Sequence, residues 1–175
     1  MKNTKNTLIH SIKITILIII IILTFLTFPK LNQFFKKENK LYISEIVANN
    51  TYTFEDNYGE YSDYIEIYNG YDKKINLSGY SLSDSESNLD KWTFPDIDIE
   101  SNEYIIVYAS GKDICKEKDK CHTNFKLSNT KDVVILSDKD ENIISKVEYS
   151  SLKNDMAFGY LSDEYKLLDN PTPGK

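Results

Sequence analysis

The chain has 175 residues, 21 of them basic and 27 acidic, for a formal net charge of −6, which leaves room for a single domain of ordinary size. The charge is unevenly divided: residues 1–40 hold seven Lys and one acid, so residues 41–175 carry 14 Lys against 26 Asp and Glu, a net of −12. So acidic a domain repels phosphate backbones and argues against nucleic acid as a partner. With two histidines in all, most His-dependent hydrolase chemistry is set aside as well.

Residues 1–7 form a short tail, and residues 8–28 follow as an apolar run rich in Ile, Leu and Phe. At about 1.5 Å per residue a helix of this length crosses the roughly 30 Å hydrocarbon core. Lys13 can snorkel to the interface and Pro29 ends the helix. Leu26-Thr27-Phe28 offers no small-residue cleavage site, so the run reads as an uncleaved signal anchor rather than a removed signal peptide. Residues 29–40 add Phe34, Phe35 and four Lys, a basic juxtamembrane linker suited to an anionic headgroup layer. Lys residues flank both sides of the span, so charge does not orient it. Cys115 and Cys121, the only cysteines, read as a disulfide closing a small loop. That places the folded part outside the cytoplasm, in a single-pass protein of the cell membrane.

Strand-like runs then recur at residues 41–47, 63–68, 80–82, 91–94, 104–108, 133–136, 143–149 and 157–160, separated by turn signals. This predicts an all-β sandwich with no useful helix after residue 40. The run 63–69 alternates and reads as a sandwich edge, whereas 104–108 and 133–136 are apolar throughout and read as central. In 143–149, Ile143, Ser145, Val147 and Tyr149 share one face, and Ile144, Lys146 and Glu148 the wet one. The first long loop, 49–62, contains Asn57 and Gly59 and is the expected place for recognition.

Five blocks come in a telling order: Asp63-Tyr64-Ile65-Glu66-Ile67-Tyr68-Asn69, Asn76-Leu77-Ser78-Gly79-Tyr80-Ser81-Leu82-Ser83-Asp84, Trp92-Thr93-Phe94-Pro95, Asn124-Phe125-Lys126-Leu127-Ser128 and Pro171-Thr172-Pro173-Gly174. Together they resemble the lamin tail domain, over residues 41–174. Tyr64 stands where that family usually has Trp, and Cys115 and Cys121 fall in a loop it leaves variable. The resemblance implies an immunoglobulin-like β-sandwich used for localisation or interaction, here preceded by one transmembrane helix. No heptads precede it, so a filament-forming lamin is not expected. The chain looks more similar to the amino-terminal module of bacterial spore-coat CotH-like proteins, whose kinase-like domain would follow.

Candidate chemistry is thin. His10 lies in the apolar run, and His122 reads as a loop residue. No H-E-x-x-H, nucleophile elbow, Walker A loop or dinucleotide fingerprint occurs. The adjacent Cys121 and His122 make a poor pair for one tetrahedral ion, so no catalytic residue, metal or cofactor is expected. Glu55, Asp56, Glu60, Asp63 and Glu66, and later Asp138, Asp140 and Glu141, lack the spacing of a calcium or glycosidase site and read as acidic surface. Among the tyrosines, Tyr64, Tyr68 and Tyr80 are expected to pack the sandwich. Tyr52, Tyr58 and Tyr61 form the candidate ligand surface, since exposed tyrosines stack on sugars or fill protein interfaces. The expected protein is a membrane-anchored, non-catalytic interaction or positioning module for protein or cell-wall glycan. The alternative is the targeting module of a CotH-like kinase whose catalytic domain is absent from this chain.

Overall fold

The structure is a computed structural model that describes residues 13–17 and 40–174. Residues 13–17 are helical; the remainder of the expected membrane span and of the linker lies outside the described residues. Among the described residues no helix is long and apolar enough to cross a membrane.

From residue 40 onward the described chain is strand, turn and loop without helix. The strands are β1 (Leu41–Val47), β2 (Tyr64–Asn69), β3 (Ile75–Asn76), β4 (Ser81–Ser83), β5 (Trp92–Thr93), β6 (Asp98–Ile99) and β7 (Tyr104–Tyr108). After them come β8 (Ile114–Cys115), β9 (Cys121–His122), β10 (Lys131–Ser137), β11 (Ile143–Ser150), β12 (Ala157–Leu161) and β13 (Glu164–Leu168). They build a seven-stranded sheet in the order β13-β12-β1-β2-β7-β9-β8, a four-stranded sheet β11-β10-β4-β5, and a ribbon β3-β6. The β7–β9 pair is parallel and the other named pairs are antiparallel.

The core lies between the sheets. Ile43, Ile46, Ile65, Ile67, Ile105 and Val107 point inward from the large sheet, against Leu82, Trp92, Val134, Leu136, Val147 and Tyr149 from the small one. Period-two alternation produces this layer: each strand gives every second side chain to the sandwich. The apolar runs 104–108 and 133–136 are interior, as expected, with β7 between β2 and β9 and β10 between β11 and β4.

Three expectations are corrected. The run 63–69 is not an edge: β2 lies in the middle of the seven-stranded sheet, between β1 and β7. Alternation reports which face is polar, and says nothing about whether strands flank the run. Tyr64 and Tyr68 do not pack between the sheets. Tyr64 is fully buried on the outer face, in a second apolar cluster with Val47, Tyr108 and Ala157, while Tyr80 does pack against the main core. Ile143 is 51% exposed, because the β10–β11 register shifts between Leu136 and Ser137 and takes it out of the apolar row. The two-residue strands β3, β6, β8 and β9, and β13, carry too little pattern to be seen in sequence, whereas β5 falls within the expected run 91–94.

Asn69, the last residue of β2, is fully buried and ties two turns together. Its Nδ2 donates to the carbonyls of Lys73 (2.9 Å), Ile99 (3.0 Å) and Glu100 (2.9 Å), and its Oδ1 accepts from the Tyr71 amide (3.0 Å). The Tyr149 hydroxyl is the opposite case: it is buried and has no hydrogen-bond partner among the described residues. An unpaired buried hydroxyl costs about 1–3 kcal/mol. Tyr149→Phe should therefore raise the unfolding free energy by about 1 kcal/mol, read as a higher urea midpoint at unchanged slope. A loss of stability would show that the hydroxyl does have a partner.

Candidate functional site

The outward side chains of the large sheet fall in rows across the strands. Pairing sets Tyr42 against Tyr68 and Tyr68 against Tyr104, then Glu45 against Glu66 and Glu66 against Ile106, then Val47 against Tyr64 and Tyr64 against Tyr108. One irregularity makes the middle row possible. Ile43 pairs with Ile67 and Glu45 with Glu66, so Ser44 is an extra residue in β1. Without this bulge strict alternation would aim Glu45 into the apolar core; with it, Glu45 stays outside and Ile46 returns to the core.

Both carboxylates are shielded, Glu45 being 2% and Glu66 1% exposed. Like charges directly opposite on adjacent strands repel, so each needs donors. Glu45 accepts from the Tyr64 hydroxyl (2.7 Å), from the Thr172 amide (3.0 and 2.9 Å) and from the Thr172 hydroxyl (2.8 Å). Glu66 accepts from the Ser44 hydroxyl (2.6 Å) and the Gly174 amide (2.5 Å). Residues 171–174 thus form a strap fastened to the sheet by these two acids. Burial pushes the Glu66 carboxyl up to about 7 and Glu45 pushes the same way, against the Ser44 and Gly174 hydrogen bonds. Burial and the adjacent Glu45 also push the Tyr64 hydroxyl upward.

Beside the strap lies a cleft of about 540 Å³, lined among others by Tyr42, Glu66, Tyr104, Tyr160, Asn170 and Thr172, within the usual size range of ligand pockets. Three tyrosines line it, Tyr42, Tyr104 and Tyr160; the Tyr42 and Tyr160 ring centroids are 4.9 Å apart, and Tyr68, outside the lining, bridges Tyr42 (5.6 Å) and Tyr104 (4.5 Å). Lys40 Nζ sits 4.8 Å from the centre of the Tyr42 ring and 4.6 Å from that of Tyr160. Gly159 opens the floor of the cleft, since a Cβ there would come within 2.5 Å of Leu168 Cδ1.

The three tyrosines singled out in sequence lie elsewhere. Tyr52 is 73%, Tyr58 52% and Tyr61 41% exposed. Tyr58 packs on His122 at 5.2 Å and carries Lys112 Nζ over its ring. Tyr61 donates to Glu55 (2.9 Å), a bond that raises its hydroxyl's pKa. Among the described residues no ring contact joins the three. Their loop is pinned rather than free. Asp155 accepts from the amides of Thr51 (2.8 Å) and Tyr52 (3.1 Å) and from the hydroxyls of Thr53 (2.8 Å) and Thr51. Burial opposes ionisation of Asp155, but these donors outweigh it and hold the carboxyl down at about 2.

His122 is also enclosed. Its Nε2–H donates to Asn57 Oδ1 (2.7 Å) and its Nδ1 accepts from the Ser110 hydroxyl (2.8 Å), the tautomer these partners require. Burial lowers its pKa, against the pull of Asp56. The connectivity is that of a nucleophile, base and orienting amide. The ring is 0% exposed, held between Tyr58 and Tyr108. It latches the 49–62 loop to β9. Beside it Cys115 and Cys121 are opposite residues of β8 and β9 and are joined by a disulfide. Among the described residues no cluster of three His, Cys, Asp or Glu could hold a metal ion.

Sequence reasoning treated Glu66 as surface charge and Glu45 not at all. The only signal was the spacing Ile43-Ser44-Glu45-Ile46, an acid where a core residue belongs. A family model described as Lamin Tail Domain matches residues 36–151. No curated protein matches the chain.

Because the folded pKa of Glu66 lies above its unfolded value, its stabilising contribution is complete below about pH 4 and lost as pH rises through about 7. Relative to Glu66→Gln, the wild type should lose about 3 kcal/mol at most between pH 4 and pH 8. Urea unfolding of both proteins across that range measures it, and parallel profiles would mean that Glu66 ionises normally.

Proposed function

The chain belongs to the lamin tail domain family, and from that premise we propose that it is a non-catalytic binding module, anchored in the cell membrane, displayed on the extracytoplasmic face, and taking cell-wall glycan in the cleft on the outer face of its large sheet. The observation that carries the reading is the set of tyrosines lining that cleft of about 540 Å³, Tyr42, Tyr104 and Tyr160, with Tyr68 packed behind them between Tyr42 and Tyr104. Sugar rings present flat C–H faces that stack on such walls, and Tyr hydroxyls and Asn170 supply hydrogen-bonding groups around them. Both acids accept hydrogen bonds from the strap, Glu45 from Thr172 and Glu66 from Gly174. The apolar run 8–28 supports the anchor. The Cys115–Cys121 disulfide supports an oxidising compartment.

Two measurements test this reading. In intact cells the protein should fractionate with membranes, and a membrane-impermeant alkylating reagent should label its cysteines only after a reductant is added. Free thiols shielded from the reagent would place the domain in the cytoplasm and end the display reading. Purified wall glycan should be retained by the wild type, and Tyr104→Ala should weaken retention by about tenfold or more, equivalent to about 1.4 kcal/mol. Equal retention would remove the cleft from the reading.

A further inference from the structure

The cleft combines aromatic walls with a carboxylate floor. Lys40 already shows what the walls accept. Its primary ammonium lies over the faces of Tyr42 and Tyr160 and donates to the Tyr160 hydroxyl at 3.3 Å, as expected for a cation held by ring quadrupoles.

The floor is asymmetric. Glu45 spends both oxygens on Tyr64 and Thr172. Glu66 receives one bond on Oε1, from Ser44, and one on Oε2, from Gly174. An ionised carboxylate has about four acceptor positions, so Glu66 is the acid with capacity left, and it lines the cleft. Its field reaches the wall: together with burial it raises the Tyr104 hydroxyl's pKa. A cation at Glu66 would also relieve its repulsion with Glu45, which no neutral group can do. On a larger scale, the net of −12 over residues 41–175 draws cations toward this domain.

We propose that the cleft selects glycans with free amino groups: a sugar face stacks on Tyr104, the lining tyrosine that Lys40 does not cover, and an unacetylated amine, as its ammonium, bonds to the Glu66 carboxylate. This rests on the reading of the cleft as a glycan site and adds the charge state of the ligand. A lysine-rich peptide could also bring an ammonium, but its narrow stem would leave most of the Tyr104 ring uncovered, whereas a sugar ring with an amino substituent meets that ring and the floor together. N-acetylation removes the charge and adds bulk where the ammonium should sit, replacing a charge-assisted bond with a neutral one of roughly half the strength.

The test is calorimetry with the full chain in neutral detergent, using a glucosamine hexamer, the same hexamer after chemical N-acetylation, a glucose hexamer and a hexalysine peptide. The glucosamine hexamer should bind about tenfold or more tightly than its acetylated form, and Glu66→Gln should abolish that preference. Acetylating the ligand leaves the protein untouched, so a preference for the charged form can be read even if Glu66→Gln loosens the strap. Equal affinity for the charged and acetylated hexamers overturns the proposal. So does a preference that survives Glu66→Gln in a variant that remains folded, which would assign it to the acidic surface at large, and so does tighter binding of hexalysine than of the glucosamine hexamer. Binding of the neutral hexamers alone overturns the proposal and leaves the glycan reading standing. Binding of none of the three hexamers overturns both.

Discussion

Glu45 and Glu66 oppose one another on neighbouring strands with almost no exposure to water, and two shielded like charges at that separation are costly unless donors surround them. The outer face of the large sheet is arranged to supply those donors. Tyr64 turns its hydroxyl to Glu45, Ser44 at the bulge turns its own to Glu66, and residues 171–174 bring two amides and a hydroxyl from the far end of the fold. The strap depends on the acids, and the cleft beside it depends on the strap. The bulge is therefore more than a local irregularity: it keeps Glu45 out of the core and gives Ile46 back to it.

A second set of buried polar side chains fixes the loops to the sandwich. Asn69 joins the turns after β2 and β6, Asp155 holds the start of the 49–62 loop, and His122 holds Asn57 farther along it. Asp63 receives the Asn50 amide at 3.1 Å, yet burial still pushes its carboxyl up to about 6. These groups do not act alike as pH changes. Asp155 stabilises once ionised and loses that effect toward pH 2, while Asp63 and Glu66 are most favourable when protonated and oppose folding as pH climbs through 6 to 7. Protonating the enclosed His122 adds a cost on the acid side.

The histidine and the paired acids are likewise held by internal hydrogen bonds. Ser110, His122 and Asn57 have the order of bonds found in hydrolases, with two tyrosine rings packed on the imidazole. Glu45 and Glu66 form a carboxylate pair lining the cleft, and main-chain amides and hydroxyls hold them. The rings of Tyr42, Tyr104 and Tyr160, by contrast, are only half-buried and face the cleft.

The sequence by itself determined the all-β class, the inward rows of the longer strands, the central places of 104–108 and 133–136, and the family, because period-two alternation and ordered turn motifs are local properties of a chain. It also brought the two cysteines within reach of one another by spacing alone. Only the tertiary structure decided that 63–69 is interior, that Tyr64 belongs to the outer face, and that β13 and the strap complete the sheet, since these depend on which strands become neighbours. The cleft was illegible for the same reason. Tyr42, Glu66, Tyr104, Tyr160 and Thr172 come from separated segments; strand register sets the strand residues among them on one face, and the extra residue at Ser44 turns Glu45, which holds Thr172, to that face as well.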